Sequence, residues 1–458
     1  MRYRLDRSAR VLRGGRVLVG GSPGRVLRLT SAGGELVARL RAGEDLGGSR
    51  GVDALLARFV DAGVVHPVPD PGRAPYGPAD VTVVVPVKDR PEGLARLLES
   101  LRADTPEVAV VVVDDGSRVP VEVPGATVLR HEVSLGPAAA RNAGARHATT
   151  PLLAFVDSDC EVTPGWLSTL LGHLTDPRVA ACAPRVRAAA TPGVLGRYEV
   201  DGSPLDLGGE PARVAPGTRI SYVPSAALLV RAADLDRLGG FDEELRLGED
   251  VDLIWRLVES GRVVRYEPAA TVLHEVRPTF AGWLRQRFGY GSSAAALDRR
   301  HPGAVAPVVL SPWSAAVWGL VLARRPGAAA VLAGGTVVAM AQRVPDLPRE
   351  EVARLVLGGH LGAGRQLATA AVRVWWPPLL LAAVCSRRAR RLGSLSALTV
   401  VARAWQHRER GHIAPLDPVL FAALTLADHL SYGAGVWAGC VRHRSIGALL
   451  PRLPRSAR

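Results

Sequence analysis

At 458 residues the chain is too long for one compact core, which points to two or three domains. Its net charge of +14 would suit nucleic acid, but residues 1–78 carry 13 basic and 7 acidic side chains, 79–276 carry 20 and 29, and 277–458 carry 24 and 7. The acidic middle excludes a nucleic-acid groove there, and the basic, apolar last third points to a membrane surface instead.

Lys88 is the sole lysine, so part of the arginine richness reflects composition rather than a binding patch. Cys160, Cys182, Cys385 and Cys440 stand singly with no CxxC pair, so neither a zinc site nor a disulfide framework is expected. The start, MRYRLDRSARV, is basic but has no apolar stretch behind it; no secretory signal is expected, and the first domains should stay in the cytoplasm.

From the N-terminus, RVLRGGRVLVGGSPGRVLRL holds two short β-rich runs joined by GGSPG and predicts a hairpin. Thr30 or Ser31 is placed to cap the next helix, and a second helix should end at Gly63, before Val64 and Val65. These elements form a predicted module over 1–66. Residues 67–80 lie in HPVPDPGRAPYGPAD, whose five prolines disfavour helix and suit a linker.

From Val81 to Val276, strand-like runs (VTVVVPV, VAVVVVDD, PLLAFVD) alternate with helical patterns such as PEGLARLLESLRA. This βαβ alternation predicts an α/β domain over 81–290, with a parallel sheet covered by helices on both faces. Three of its strands end in acids: Val81–Val87 before Lys88, Asp89 and Arg90; Val108–Val113 before Asp114, Asp115, Gly116 and Ser117; and LLAFV before Asp157, Ser158 and Asp159. Ligands of open α/β sheets bind beyond such strand ends, although Asp-Gly-Ser alone also makes an ordinary turn. Alternation places Asp157 and Asp159 on one side of the chain, where a hard divalent cation would offset their repulsion.

Between the second and third stations, Gly136 and Pro137 open a helix carrying Arg141 and Asn142, an arrangement suited to a diphosphate. Farther on come Gly-Gly-Phe-Asp, then Gly248, Glu249 and Asp250 at the start of an amphipathic helix, and His274 at a strand end. First-turn acids also suit a helix dipole, which accounts well for Asp252; Asp242 and Glu243 likewise fit a structural role.

The ordered set PVKDR, VVVDDGS, GPAAARNAG, FVDSD, GGFDE and GED resembles the family 2 glycosyltransferases of the GT-A fold, from Val81 to Arg277. The resemblance implies that Asp89 and Asp115 contact the donor's base and ribose, and Arg141 its base or phosphates. It implies that Asp159 holds a divalent metal, manganese or magnesium, with Asp157 on sugar or ribose and His274 on the metal's far side. Asp250 is similar to the family's catalytic base, with Glu249 beside it, and in-line attack would invert the anomeric centre.

The N-terminal module resembles the winged-helix-like peptide-recognition domains of ribosomal-peptide maturation systems; a DNA-binding wing and a passive cap are its alternatives. Such a module before a family 2 domain and an apolar basic tail is similar to the glycosyltransferases of mycofactocin biosynthesis. That resemblance implies a nucleotide-sugar donor, UDP-glucose, and transfer of β-1,4-linked glucose to a peptide-derived redox cofactor or its precursor.

Residues 291–458 are expected to form a helical, membrane-associated region. The apolar blocks 304–323 and 327–341 are broken or short for a span, and 418–441 is long enough but contains Asp428 and His429. Arg387, Arg388, Arg390 and Arg391 directly after WWPPLLLAAVC suggest a cytoplasmic face against anionic lipid, with Trp375 and Trp376 at the interface. A membrane lipid or cell-wall glycan is the competing acceptor, and a peptide- or DNA-binding scaffold with an inactive sheet domain is the non-enzymatic alternative. A sugar nucleotidyltransferase is disfavoured because PVKDRPEG is not a Gly-rich phosphate loop.

Overall fold

A computed structural model describes residues 2–46, 49–408 and 416–453. The chain divides into two compact units, Met1–Val276 and Arg277–Arg458.

The first unit opens with β1 (Arg2–Leu5), β2 (Arg10–Leu12), β3 (Val17–Gly20) and β4 (Arg25–Arg28), followed by α1 (Ser31–Arg41), α2 (Arg50–Asp61) and β5 (Val65–Val68). β2, β3 and β4 form an antiparallel sheet, and β5 returns to pair with β1. Thr30 does cap α1, its hydroxyl accepting from the Gly33 N–H at 3.3 Å. In the hairpin turn Gly21 has φ +83°, and a Cβ there would lie 2.1 Å from the Ala62 carbonyl. Only glycine lets the turn rest on the end of α2. Leu18, Val37, Leu56, Phe59 and Val64 make a small core. The pairing of β1 with β5, invisible in local pattern, is pinned by His66 Nε2 at 2.8 Å from Asp6 Oδ2.

These elements also contact the loops at residues 210 and 219 of the same unit. Arg219 donates its backbone N–H to Ser22 Oγ, its guanidinium reaches Asp6 at 3.4 Å, and Arg7 pairs with Glu210 at 2.7 Å. The proline-rich segment forms short turns at Pro71–Arg73 and Pro78–Asp80, and Arg231 donates to the Tyr76 hydroxyl at 3.0 Å.

The large sheet begins with β6 (Val81–Val87), α3 (Pro91–Asp104), β7 (Ala109–Asp115), β8 (Thr127–His131), α4 (Pro137–His147) and β9 (Leu152–Val156). β9, β6, β7 and β8 are parallel neighbours in that order. The order therefore reverses at β6, which opens a crevice at the carboxyl ends of β6, β7 and β9. Burial explains the unbroken valine runs: Val83, Val84 and Val85 are wholly inaccessible, Val83 and Val85 sharing a core with Leu94, Leu97 and Leu101 of α3 and Val84 lying against Gly144 of α4.

Beyond β9 come β10 (Cys160–Val162), α5 (Trp166–Leu171), β11 (Val179–Ala188), α6 (Val194–Gly202), β12 (Ala212–Val214), β13 (Ala227–Arg231), α7 (Ala232–Arg237), α8 (Glu249–Glu259) and β14 (Val263–His274). β13 runs antiparallel to both β9 and β11, so the sheet is mixed rather than parallel throughout. An apolar run reads the same in either direction, and only pairing reveals which way it lies.

The second unit is helical: α9 (Phe280–Ser292), α10 (Ala294–Arg300), α11 (Pro312–Leu322), α12 (Pro326–Arg343), α13 (Arg349–Arg373), α14 (Trp376–Cys385), α15 (Arg387–His407) and α16 (Pro418–His443). α9 and α16 approach backbone to backbone: a Cβ on Gly435 would lie 2.0 Å from the Phe288 carbonyl, and one on Gly291 1.9 Å from that of Tyr432. The buried Arg287 of α9 bonds Asp428 of α16 at 2.9 Å.

Candidate active site

The end of β6 is joined to the loop after β7 by bonds from main-chain N–H groups to side-chain oxygens. Asp89 has φ +52°, its N–H donates to Ser117 Oγ at 3.0 Å, and its Oδ1 accepts from the Arg118 N–H at 2.9 Å. That amide, against a smaller desolvation effect, holds the Asp89 carboxyl below its ordinary pKa. At the end of β7, Asp114 is fully buried and accepts from the Ser117 and Val121 N–H groups and from Arg130. Asp115 accepts from Ser134 Oγ at 2.7 Å and from the Leu135 and Gly136 N–H groups at 2.9 Å each, and meets His131 Nδ1 at 2.8 Å. Burial pushes its pKa up, but these four partners outweigh it and the net direction is down. With four partners its acceptor capacity is filled, and it ties down the loop leading into α4.

Past β9 the arrangement changes. Arg141, only 3% exposed on α4, donates from Nη2 to Asp157 Oδ1 and from Nη1 to Glu249 Oε1, each at 2.7 Å. It lies 5.5 Å from the ring centre of Phe241, and its buried Nε has no acceptor among the described residues. Asp157 is anchored by its own N–H to the Ala226 carbonyl, yet its side chain is 29% exposed. Two residues on, Asp159 is nearly buried, with Oδ2 3.3 Å from Arg90 Nη1 and Oδ1 3.4 Å from His274 Nε2. His274 lies opposite Cys160 in the β10–β14 register, which brings it to the acid turn. Burial, reinforced by Asp157, raises the Asp159 pKa despite His274 and Arg90.

The turn itself is held by close approach: a Cβ on Gly93, in the first turn of α3, would sit 2.6 Å from the Ser158 carbonyl. Cys160 is a buried core filler.

Gly248, in the left-handed region at φ +85°, turns the chain into α8 and presents Glu249 and Asp250 in its first turn. Burial, with Asp250 adding to it, pushes Glu249 up to about 7 even against Arg141. Asp250 Oδ2 accepts from the Ser225 N–H at 3.2 Å and Oδ1 from the Val251 N–H at 2.8 Å; burial still raises its pKa. Asp252 faces away to Arg256 at 2.7 Å. The Gly-Gly-Phe-Asp turn is clamped by Asn142, whose amide accepts from the Phe241 N–H and donates to the Phe241 carbonyl and Glu243.

The model for Glycosyl transferase family 2 matches residues 82–234, which contain the first three stations. Along the whole chain, the pre-mycofactocin glycosyltransferase of Mycobacterium tuberculosis is 42% identical over 470 aligned residues, covering 98% of this chain and 97% of that protein. The chain is a family 2 glycosyltransferase. Within the family it is most like the mycofactocin one. The succinoglycan biosynthesis protein ExoU of Rhizobium meliloti is 33% identical over 40% of this chain and 58% of its own length. A mannosyltransferase from Pyrobaculum calidifontis, solved with GDP-Man and Mn2+, is 18% identical with a TM-score of 0.43, over 82% of this chain and 89% of that one.

In this glycosyltransferase the acids at β9 and α8 converge through Arg141, whereas Asp89 and Asp115 are engaged with the loops after β7 and β8. Among the described residues no cluster of three or more His, Cys, Asp or Glu side chains forms a ready metal cage. Asp159 and His274 nonetheless offer one carboxylate and one imidazole at neighbouring positions, a donor pair that fits an ion keeping most of its positions for diphosphate oxygens and water. Three site contacts had no sequence signal: Arg90 against Asp159, the Ser225 N–H on Asp250, and Glu275, which links Arg90 and Arg96 at 3.3 and 3.2 Å. Arg90 was legible only as the last letter of PVKDR.

Proposed function

We propose that the enzyme is an inverting, divalent-metal-dependent hexosyltransferase of GT-A type. It moves glucose from UDP-glucose to a peptide-derived redox cofactor or its precursor, building a β-1,4-linked oligosaccharide. The carrying observation is the convergence of Asp157, Asp159 and His274 with Arg141, Glu249 and Asp250. The full-length likeness to the pre-mycofactocin enzyme supports the acceptor class.

Asp250 is the general base. Two backbone N–H groups orient its carboxylate, and its raised pKa makes it a better proton acceptor than an ordinary aspartate. The acceptor hydroxyl gives its proton to Asp250 as its oxygen bonds the anomeric carbon. The bond from that carbon to the diphosphate breaks, and its electron pair leaves with the nucleotide. Attack from the opposite face inverts the centre.

Arg141 fixes Asp157 and Glu249 relative to one another, with Glu249 acting as its positioning partner. Asp159 and His274 would hold manganese or magnesium, which when bound neutralises charge on the departing diphosphate. Asp89, exposed beside Arg118, is placed for the donor's base or ribose, and Asp115 shapes that side through the loop it grips.

The N-terminal module is read as a winged-helix-like site for the precursor peptide. A cavity of about 170 Å³ is lined by Leu27, Leu29, Leu55 and Phe59, with Arg25 and Arg58 beside them. β4 is an edge strand, to which an extended peptide would add by main-chain pairing. A lipid-linked acceptor is the second reading, favoured by the exposed apolar side chains of the helical unit.

Purified enzyme given UDP-glucose, Mn2+ and a peptide-derived acceptor should release UDP and yield an acceptor heavier by whole hexose units. Turnover undiminished by a chelator would overturn metal dependence. Product forming only with a lipid extract would favour the second reading.

A further inference from the structure

The C-terminal unit leaves in water apolar side chains that a soluble bundle would bury. α14, with sequence WPPLLLAAVC, has no buried residue, and Leu380, Leu381 and Val384 are 57%, 76% and 77% exposed. α12, with sequence PGAAAVLAGGTVVAMAQR, buries only Ala329, and Trp313 of α11 is 58% exposed. Apolar surface of this extent marks a contact with something other than water.

Charge identifies the occupant. Exposed arginines adjoin the apolar helices: Arg324 and Arg325 lie between α11 and α12, and Arg387, Arg388, Arg390 and Arg391 directly follow α14. Residues 277–458 carry 24 basic and 7 acidic side chains. Short apolar helices edged by cations match a bilayer interface, where the apolar face meets acyl chains and arginines meet anionic headgroups.

The same helices do not fit a span. α14 has 10 residues and α11 has 11, giving roughly 15–17 Å against about 30 Å of hydrocarbon. α13 and α14 together are long and apolar enough to cross but bend by 83° at their break, and α13 carries arginines and glutamates. α16 alone among the described helices is long and apolar enough. However, one side of it lies against the backbone of α9 through Gly435 and Gly439, and Asp428 on it is committed to Arg287.

We propose that this unit docks on an anionic lipid bilayer from one side, with α11, α12 and α14 lying in the interfacial layer of a single leaflet and no described helix crossing it. Cys385, at the end of α14, is exposed while Cys160, Cys182 and Cys440 are buried, so the full-length enzyme carries a natural labelling position.

An environment-sensitive fluorophore on Cys385 should shift to the blue with vesicles containing phosphatidylglycerol and far less with phosphatidylcholine alone. Nitroxide lipids labelled near the headgroup should quench it more than those labelled at the bilayer centre. Leu381→Ser with Val384→Ser should abolish the shift at unchanged thermal unfolding, since both side chains face solvent. Replacing Arg387 and Arg388 by Gln should weaken partitioning about fivefold per charge removed. No shift and no flotation with either vesicle would overturn the proposal, as would quenching strongest at the bilayer centre. An equal shift with neutral and anionic vesicles would overturn the charge recognition.

Discussion

At the end of β7, Asp115 is met by four polar partners and its pKa is lowered; at the start of α8, Glu249 and Asp250 are as deeply placed but less fully bonded, and theirs are raised. Both regions desolvate carboxylates at the edge of one sheet, and donor supply decides the sign. Acids that hold loops are saturated by the fold. At Glu249 and Asp250 fewer donors face the carboxylate, and burial sets the direction.

The sharpest way to break this comparison is Asp250→Asn, which preserves shape and removes the base. Its kcat should fall about 10²- to 10⁴-fold with little change in donor KM. Near-wild-type kcat would remove Asp250 from the chemistry. Asp159→Ala should reduce turnover by about 10²-fold or more, and should weaken Mn2+ retention measured by electron paramagnetic resonance in the presence of UDP.

Asp115→Asn should act oppositely, costing about 2–3 kcal/mol in denaturant unfolding because an amide cannot accept from every donor that the carboxylate does. Should unfolding stay unchanged while donor KM rises steeply, Asp115 would belong to the binding set instead.

Protonation gives the mildest test. As pH falls, kcat/KM should drop with a midpoint above the ordinary aspartate value of about 3.9, because Asp250 must be ionised to act. Stability should carry both signs. The lowered Asp115 pKa contributes stability present above the ordinary aspartate value and lost as pH falls through the folded one. The raised Glu249 pKa contributes stability present below 4.5 and lost as pH rises through about 7, a limb that Glu249→Gln should flatten.

Much of this site was legible before folding. Asp157 and Asp159 announced themselves because alternation along an extended segment puts both on one side, and Glu249 and Asp250 because Gly248 precedes an amphipathic pattern. Arg141 was legible as a helix residue but not as the bridge between Asp157 and Glu249, since those partners lie 16 and 108 positions away. The mixed direction of the sheet and the pairing of β1 with β5 stayed hidden because strand direction and long-range register leave no mark on a local apolar run.

What the chain determined by itself were the properties written in short-range pattern: the charge division into thirds, the burial of the valine strands, the cap at Thr30, and the order of the acidic stations. Tertiary structure decided which of those acids is satisfied. Asp115 and Asp159 are alike as letters at strand ends, but the loop before α4 brings donors to the first, while the second lies against His274 and Arg90, at 3.4 and 3.3 Å. A carboxylate's role follows from how many donors reach it and how much water leaves, and both are set by residues far away in sequence.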